Sequence, residues 1–423
     1  MEKISIKKGI RLYLLPDEKY KTFLLRAYLF QPLAKETVTK NALLGTMLRQ
    51  GTEKFPSRLS IVRETERLYD TQIDADAQKI GEMQAIRVDL GGVNPAFLPA
   101  GETYWQDALE LFGQMLLCPH APNGAFPEDV LAVEKENLKD RIDAVINEKR
   151  SYAMQQMLKT MCENEPMGIP DDGYKEEVDS ISSEELFTQY KKVLEESPIY
   201  IFASGSFDGE AVTNYLRELL KDLPEREEAL HKPVVIRRAE KEKYKEERLD
   251  VVQGKLCMGF RTDAAGNEDG YYPLLVMNSV FGAGAHSKLF NEVREKMSLC
   301  YYASSGISRN KGILMVSAGI EFKNFAVAKE GILKELEKMR AGEISDSEEN
   351  AAKLALMNSI RAAADSKVQQ IGRALGGILS GDMRTPEEEM AAVMAVTKED
   401  MMAAAKKLTL DTVYFLRGEE EAE

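Results

Sequence analysis

Histidine is scarce in this sequence. Only three histidines occur among 423 residues, His120, His231 and His286, and no two of them lie within one helical turn of each other. A protein zinc site needs three or four ligands, and a common source is a pair of histidines one turn apart on a helix. We therefore expect this chain to bind no zinc and to require no other cofactor of its own.

Cysteine is almost as rare, and none of the four cysteines belongs to a Cys-x-x-Cys pair. They are Cys118, Cys162, Cys257 and Cys300. Cysteines so far apart are more typical of buried, reduced thiols than of a disulfide framework or a zinc site.

Long apolar runs are also missing. No stretch approaches the roughly 20 apolar residues that cross a bilayer. The first residues, Met1-Glu-Lys-Ile-Ser, lack the charged-then-apolar order of a secretory signal. We therefore expect a cytoplasmic protein without a membrane partner.

The chain has no excess of positive charge. Its 70 acidic and 56 basic residues give a net charge of −14, whereas nucleic-acid-binding surfaces are basic. Nucleic acid is therefore not an expected partner. With 44% hydrophobic and 30% charged residues, the composition is that of a globular protein, and the length predicts two domains of roughly 200 residues.

The second half of the chain repeats the pattern of the first. The segment 181–205 combines a capped helix with an apolar strand that closes on Gly205, and 396–418 does the same, closing on Gly418. Before each, strands and helices follow in the same order. A repeat of this length predicts two similar domains.

Residues 223–248 are rich in lysine and glutamate and include Pro224 and Pro233, a composition typical of a charged linker. We predict an N-terminal domain at 1–222, a linker at 223–248 and a C-terminal domain at 249–423. Strands adjacent in sequence, with helices grouped between them, predict an α+β fold. Each domain is then a largely antiparallel sheet with helices packed on one face.

One helix carries a motif. Leu43, Leu44, Met47 and Leu48 recur at helical spacing and predict an amphipathic helix that ends near Gly51. The run Met47-Leu48-x-x-Gly51-Thr52-Glu53-Lys54 resembles the zinc-binding helix of the pitrilysin/insulinase/mitochondrial-processing-peptidase family.

The resemblance implies a metal site whose ligands have been lost. In the family, His-x-x-Glu-His precedes the Met-Leu pair, and here those positions are Ala42, Gly45 and Thr46. The third ligand, a glutamate on a later helix, corresponds to Arg141 in the best match, Glu134-Lys135-x-x-Leu138-x-x-Arg141; Glu136 offers a second register. Arginine has no lone pair to give to a metal at neutral pH.

That later helix is predicted to run from Asp129 to about Thr160. Its acidic residues Glu134, Glu136 and Glu148 are expected to form a solvated face paired with nearby lysines and arginines, rather than a catalytic carboxylate cluster.

The second half retains another family signature. In Ser287-Lys-Leu-Phe-Asn-Glu-Val-Arg294, followed seven residues later by Tyr301, the arginine and tyrosine match a pair that contacts the substrate carbonyl in active members. Guanidinium and phenol are suitable donors to a developing oxyanion. An exposed helical arginine and a half-buried strand tyrosine are common without such a role. Tyr302 is an alternative to Tyr301.

The resemblance implies a catalytically silent subunit, not an enzyme on its own. It would form a peptide-binding chamber with a His-x-x-Glu-His partner that holds the zinc, and Arg294 and Tyr301 would serve as substrate-binding residues. The peptide would add a strand to a sheet edge near Ile73–Ala77. The alternative is a non-enzymatic homodimer that keeps the chamber as a peptide-binding or scaffolding surface. The sequence does not identify the peptide.

Overall fold

The computed structural model describes residues 1–99, 103–266 and 268–419. It divides the chain into two compact units. The first unit contains residues 1–144, 169–232 and 366–372, and the second contains 145–168, 233–365 and 373–423. Each unit has its own sheet and its own hydrophobic core.

The strands are β1 Glu2–Lys7, β2 Ile10–Pro16, β3 Thr22–Pro32, β4 Gln72–Ile80, β5 Met83–Val93, β6 Ile199–Gly205, β7 Lys243–Arg248, β8 Gly254–Arg261, β9 Cys300–Ser308, β10 Ile313–Ile320 and β11 Thr409–Arg417. The α-helices are α1 Lys35–Leu48, α2 Arg58–Arg67, α3 Tyr104–Leu117, α4 Glu128–Ala144, α5 Lys149–Met161, α6 Lys175–Val178, α7 Ser183–Glu196, α8 Gly209–Leu219, α9 Tyr271–Phe281, α10 Phe325–Ala341, α11 Asp346–Ala363, α12 Lys367–Ser380, α13 Pro386–Ala395 and α14 Lys398–Lys407. A π-helix spans Leu289–Lys296.

The first unit is a six-stranded sheet in the order β1-β2-β6-β3-β5-β4. All its neighbouring strands are antiparallel except β2 and β6. Side chains along a strand point alternately to the two faces of a sheet. Leu25, Ala27 and Leu29 of β3 point to the face that packs against helices, in the same core as the apolar residues of α1, α3 and α7. The other face carries a cluster of aromatic side chains in stacked, tilted and T-shaped contacts: Tyr13, Tyr28, Phe30, Tyr200 and Phe202.

The second unit repeats this topology. Its sheet has the order β7-β11-β8-β10-β9, and the one parallel pair is β7 with β11. Strands β7, β11, β8, β10 and β9 thus take the places of β2, β6, β3, β5 and β4. The predicted fold class is confirmed: two similar α+β domains, each with a largely antiparallel sheet and a layer of helices on one face. In the second domain, helix α5 also covers the other face, which the sequence did not predict.

The prediction of one long helix from Asp129 to about Thr160 is wrong, because the structure has two helices there. The chain leaves the helix at Ala144, makes a 3₁₀ turn at Val145–Asn147 and begins α5 after Glu148. Glu148 is non-helical (φ −90°, ψ 82°), and its carboxylate accepts a hydrogen bond from the Arg150 backbone N–H at 3.3 Å. It therefore acts as the N-cap of a new helix.

Helix α5 packs in the second unit, although the sequence places it in the first half. Its buried residues Ala153, Met157 and Met161 contact the face of the second sheet opposite α9, α10 and α14, where Cys257 and Tyr414 lie. The second sheet is therefore covered on both faces. The sequence prediction, with domains at 1–222 and 249–423, assigned 145–168 to the other domain.

Part of the predicted linker is a strand. Residues 243–248 form β7, which pairs in parallel with β11 from Lys243↔Thr412 to Arg248↔Arg417. Upstream, Arg226 is buried and donates hydrogen bonds to the carbonyl oxygens of Leu194 at 2.6 Å and Pro224 at 2.8 Å. The segment 223–248 is therefore attached to the domains at two points: Arg226 bonds to Leu194, and β7 pairs with β11. Its charged composition did not indicate either contact.

The cysteines are all free thiols. Cys162, Cys257 and Cys300 are buried and Cys118 is half-buried. Burial raises the pKa of the Cys162 thiol to about 12 and that of Cys300 to about 11, so these thiols stay protonated at neutral pH. Within the described ranges, no helix has the length and apolar character that spanning a membrane requires.

Candidate functional site

Helix α1 holds the positions that match the zinc motif. Leu43, Leu44, Met47 and Leu48 are at most 2% exposed and belong to the core of the first unit, as the helical spacing predicted. The helix ends at Leu48, close to the expected Gly51. The prediction of an amphipathic helix is wrong for the motif part, because all residues from 41 to 48 are buried, the polar ones included.

The motif positions themselves offer no metal ligand set. Ala42 is 1% exposed and its side chain is a methyl group. Thr46 is buried, and its hydroxyl donates a hydrogen bond to the Leu43 carbonyl at 3.0 Å, which is a local contact within the helix. Neither residue supplies the imidazole nitrogen with which zinc is bound in the family motif.

Gly45 stands where the motif has its glutamate, and the space for a side chain is occupied. A Cβ placed on Gly45 would lie 2.4 Å from the Ala77 backbone nitrogen and 2.5 Å from the Asp76 carbonyl carbon. Both atoms are backbone atoms of β4, so neither can rotate away. Helix α1 and strand β4 approach each other more closely than any residue with a Cβ permits.

This contact predicts opposite effects for two glycine-to-alanine changes. Gly45→Ala is expected to lower the free energy of unfolding by about 1–3 kcal/mol, because the methyl group must displace backbone. Gly372→Ala, in α12 and with nothing within 4 Å of its Cβ position, is expected to raise it by up to about 1 kcal/mol through helix propensity.

Urea unfolding followed by the fluorescence of Trp105, the single tryptophan, measures both variants, since Trp105 and both glycines belong to the first unit. A stabilised Gly45→Ala protein would show that the approach of β4 is looser than the structure gives.

The position matched to the third ligand carries an ion pair. Arg141 Nε lies 3.0 Å and Nη2 2.9 Å from Asp172 Oδ1. Glu136, which offered the second register, is exposed and pairs with Lys139 at 2.6 Å. A charged guanidinium bound to a carboxylate cannot coordinate a cation.

Glu134 departs from the predicted solvated face. It is buried, and its Oε1 accepts hydrogen bonds from Gln50 Nε2 at 3.0 Å and Asn137 Nδ2 at 3.1 Å. Gln50 follows the end of α1, so the hydrogen bond from Gln50 to Glu134 links α4 to the end of the motif helix. Both of its partners are neutral amides.

Taken together, Ala42, Gly45, Thr46 and Arg141 do not fit a zinc ion: they contain one hydroxyl, already used, and one cation. Elsewhere in the described part of the chain, no three histidine, cysteine, aspartate or glutamate side chains converge as metal ligands would. The histidines are dispersed: His286 Nε2 lies 3.2 Å from Ser279 Oγ in the second unit, and His231 lines a cavity in the first unit.

Arg294 and Tyr301 are brought together in the second unit. Arg294 lies in the π-helix, and its Nε donates to the Tyr301 carbonyl oxygen at 2.9 Å. The guanidinium lies 4.4 Å from the centre of the Phe290 ring, and its Nη1 lies 3.0 Å from Glu295. Within the described residues, Nη2 makes no hydrogen bond and remains a free donor.

The segment between Arg294 and Tyr301 has an unusual backbone. The Met297 N–H bonds to the Glu292 carbonyl at 2.9 Å, a π-helical i→i+5 bond, and Ser298 has a left-handed φ of 54°. π-helical turns and left-handed non-glycine residues cost free energy and concentrate at functional sites. The turn also sets the distance between the arginine side chain and the start of β9.

The two neighbouring tyrosines differ in their surroundings. Tyr301 is 64% exposed, whereas the ring of Tyr302 is half-buried under the guanidinium of Arg150, 4.3 Å from its centre. Tyr302 is opposite Gly319 of β10 and Cys300 is opposite Ile320, so Tyr301 is the extra residue of a β-bulge at the start of β9. Of the two, Tyr301 has the phenol that a ligand reaches most easily.

The two sheets end in strands with different edges. Strand β4 ends the first sheet and pairs with β5 from Gln72 to Ile80. Strand β9 ends the second sheet, but its outer edge is occupied at two points: Arg294 holds the Tyr301 carbonyl, and the Ser305 N–H donates to the Gly282 carbonyl at 2.9 Å. Strand β4 is therefore the better template for an added strand.

A charged ladder beside this edge was not anticipated from the sequence. Arg26 of β3 binds Asp89 of β5 through two hydrogen bonds of 2.6 Å, and Arg87 pairs with Asp76 of β4 at 2.7 Å. Burial raises the pKa of Asp76, assisted by Asp74 and Asp89 and opposed by Arg87. The alternation Ile73-Asp-Ala-Asp-Ala77 was the signal: the apolar residues face the helices and the aspartates face away.

Comparison with known proteins adds to this geometry. Residues 180–356 match the family description "Peptidase M16 inactive domain". Across 98% of this chain and 97% of the relative, the sequence is 33% identical to "Probable inactive metalloprotease YmfF" of Bacillus subtilis.

Two solved structures are similar over nearly their whole length. A conserved protein from Enterococcus faecalis is 28% identical with a TM-score of 0.93, covering 100% of this chain and 99% of that one. A structure described as a peptidase M16 inactive domain from Pseudomonas fluorescens has a TM-score of 0.80 at 17% identity, covering 100% and 99%; at that identity the likeness shows the fold alone.

Proposed function

Since the chain belongs to the M16 metallopeptidase family and is an inactive, metallopeptidase-like member of it, we propose that it is the catalytically silent subunit of a two-chain zinc peptidase. In this role it forms a peptide-binding chamber with a separate His-x-x-Glu-His chain. The partner supplies the zinc and its bound water, and this chain supplies binding groups for the peptide. The observation that carries the proposal is the retention of Arg294 and Tyr301 together with the loss of every zinc-motif side chain.

The first support is the state of the motif helix. A chain that had merely lost one ligand would keep room for the others. Here Gly45 occupies the glutamate position, and a Cβ on it would lie 2.4 Å from the Ala77 backbone nitrogen of β4. The third-ligand position holds an arginine paired with Asp172. In this proposal the chain binds no zinc and has no use for the site.

The second support is the exposure of the pair in the second unit. The Tyr301 phenol is available to solvent and Arg294 keeps one free N–H donor group. Two such donors suit a peptide carbonyl oxygen, whose negative charge grows when water attacks its carbon. Arg294 and Tyr301 are thus assigned as substrate-binding residues, with no proton transfer required of either.

The third support is the open edge of β4. We place the peptide backbone along this strand, where extended residues pair by main-chain hydrogen bonds whatever their side chains. Such binding tolerates many sequences and suits a subunit whose role is to hold extended peptide.

The test begins with an affinity-tagged chain purified from its own cells, with co-purifying chains identified by mass spectrometry. The expected partner is a chain of similar length that carries His-x-x-Glu-His. Each chain is then assayed alone and mixed, using a quenched fluorescent peptide library. Hydrolysis that arises only on mixing, and that a chelator abolishes, supports the proposal.

Two outcomes would overturn it. Stoichiometric zinc and chelator-sensitive hydrolysis in the chain purified alone would make it an enzyme in its own right. A stable self-dimer, inactive in every pairing, would instead favour a non-enzymatic peptide-binding or scaffolding homodimer. Size-exclusion chromatography with light scattering, run on the same preparations, separates the self-dimer from the mixed pair.

A further inference from the structure

A cationic shelf lies on one face of the second sheet, around Tyr302. In the sheet register Tyr302 of β9 is opposite Gly319 of β10, which is opposite Lys255 of β8. A Cβ on Gly319 would fall 2.5 Å from Tyr302 Cε1. The glycine therefore leaves the space in which the tyrosine ring lies across the sheet toward Lys255.

Two cations lie against this ring. The guanidinium of Arg150, at the start of α5, is 4.3 Å from the ring centre, and Lys255 Nζ is 5.8 Å from it. Arg150 Nη2 also donates to Ser304 Oγ at 2.9 Å. Ser304 lies two residues beyond Tyr302 on β9, so its hydroxyl is on the same face of the sheet.

Neither cation is paired with a carboxylate. Among the residues that the structure describes, no acidic oxygen lies within 4.0 Å of Arg150 or Lys255, and the polar partners they have are the neutral side chains of Ser304 and Gln253. The carboxylate of Glu148, whose charge acts on Lys255, accepts the Arg150 backbone N–H instead. This is unusual in a chain with a net charge of −14.

The arrangement is electrostatically unfavourable as it stands. Burial lowers the pKa of Lys255, and the neighbouring Arg150 lowers it further against the opposing effect of Glu148. The repulsion between two like charges beside one aromatic ring is offset when an anion binds between them. Guanidinium and ammonium groups, which here lie against the same ring, are also the donors that carboxylates bind most strongly.

We propose that Arg150, Lys255 and Ser304 form a binding site for a carboxylate of the bound peptide, with Tyr302 as its floor. The inference rests on the proposed function for the peptide, and it adds a substrate preference: peptides that carry an acidic side chain or a free C-terminus. The groups of this site are Arg150, Lys255, Tyr302 and Ser304, and neither Arg294 nor Tyr301 is among them.

The test uses an unlabelled, N-acetylated 12-residue peptide of glycine, serine and valine in four versions, with Glu or Gln at the centre and a free or amidated C-terminus. Binding to the full chain is measured by isothermal titration calorimetry. Wild type is expected to bind at least one carboxylate-bearing version about 10-fold more tightly than the Gln, amidated version, given the strength of charge-assisted hydrogen bonds. The two mixed versions show whether the side chain or the C-terminus is bound.

The double variant Arg150→Gln with Lys255→Gln is expected to bind all four versions alike. The matched control, Lys159→Gln with Lys334→Gln, makes the same change in net charge at two exposed lysines and is expected to keep the preference. Circular dichroism establishes that both variants are folded.

Equal affinity of wild type for all four versions would overturn the carboxylate site, as would an equal loss in the control. If either result came with intact hydrolysis by the mixed pair, the proposed function would stand and this site alone would fall. Failure of wild type to bind any version, together with no hydrolysis on mixing, would remove both.

Discussion

An Arg294→Ala chain, mixed with the zinc-bearing partner that we propose, is expected to hydrolyse peptide about 100- to 1,000-fold more slowly than the wild-type pair. The loss of one donor to a developing oxyanion has an effect of this size in other hydrolases. The reason lies in the geometry: Arg294 is held by the Tyr301 carbonyl and the Phe290 ring while one N–H donor group stays free. The measurement is kcat and KM for one quenched peptide with the partner in excess.

The division between kcat and KM identifies the role of the residue. A contact made mainly in the transition state lowers kcat, whereas a contact made equally with the bound peptide raises KM. Arg294→Lys is expected to recover only part of the rate, because an ammonium does not reproduce the fixed guanidinium donors. Tyr301→Phe should fall between the two arginine variants, since it removes one hydroxyl.

Arg361→Ala is the matched control for this experiment. Arg361 is an exposed arginine on α11 of the same unit, and its removal is expected to leave turnover within about twofold. An Arg294→Ala pair with wild-type turnover would contradict the assigned role, and so would a loss matched by the control. Loss of complex formation, seen by chromatography, would assign Arg294 to the subunit interface instead.

Local features of the fold were predictable because their causes are local. The apolar spacing of Leu43, Leu44, Met47 and Leu48 predicted that these four side chains enter the core, although residues 41–48 are all buried. The capped helix predicted in 181–205 has its N-cap at Ser182, whose hydroxyl oxygen accepts one hydrogen bond of 3.1 Å from the Glu185 N–H. The duplication was visible because both halves must build the same sheet, and each needs a final strand that enters it between earlier ones.

Other features depend on partners distant in sequence. No proline or glycine marks the break after Ala144, so the pattern gave no reason to end a helix there. The destination of α5 is set by contacts more than 80 residues away, such as Lys243 Nζ to the Thr160 carbonyl at 3.1 Å. Sequence periodicity carries no information about such contacts.

The site shows the same division. Residue identity alone indicates that Ala42 and Arg141 cannot ligate zinc. The reason that Gly45 has no side chain, the approach of β4, is a tertiary contact between segments about 30 residues apart. Arg150 and Lys255 lie still farther apart in sequence: the sheet register places Lys255 near Tyr302, and the packing of α5 on the sheet places Arg150 there.

The second large effect is expected at a buried ion cluster in the second unit. Glu165 lies 2.6 Å from Arg261 and 2.5 Å from Lys311, and Arg261 also lies 2.8 Å from Asp411. All four side chains are at most 6% exposed. Arg261 further donates to the Met161 carbonyl at 3.1 Å, so the cluster fastens the end of α5 to the second sheet.

Glu165→Gln is expected to lower the free energy of unfolding by about 3–5 kcal/mol. The change removes a carboxylate that both buried cations contact and leaves Asp411, which contacts Arg261. Glu163→Gln, two residues away, is the control. Glu163 is exposed and pairs with Lys243 at 2.9 Å, and such surface pairs contribute about 1 kcal/mol or less. Urea unfolding at pH 7, followed by circular dichroism, compares the three proteins.

The pH dependence provides an independent check on the same cluster. Burial by itself raises the pKa of Glu165, but hydrogen bonds and charge from Arg261 and Lys311 outweigh it and lower the pKa below its ordinary value of 4.5. A carboxyl whose pKa is lower in the folded state stabilises the fold above its ordinary pKa and loses that effect as pH falls through the folded value. The stability difference between wild type and Glu165→Gln should therefore be constant from pH 6 to 8 and shrink below about pH 4.5. A difference that persisted undiminished into acid, or one no larger than that of Glu163→Gln at pH 7, would mean that the glutamate fills space in the cluster without neutralising its charge.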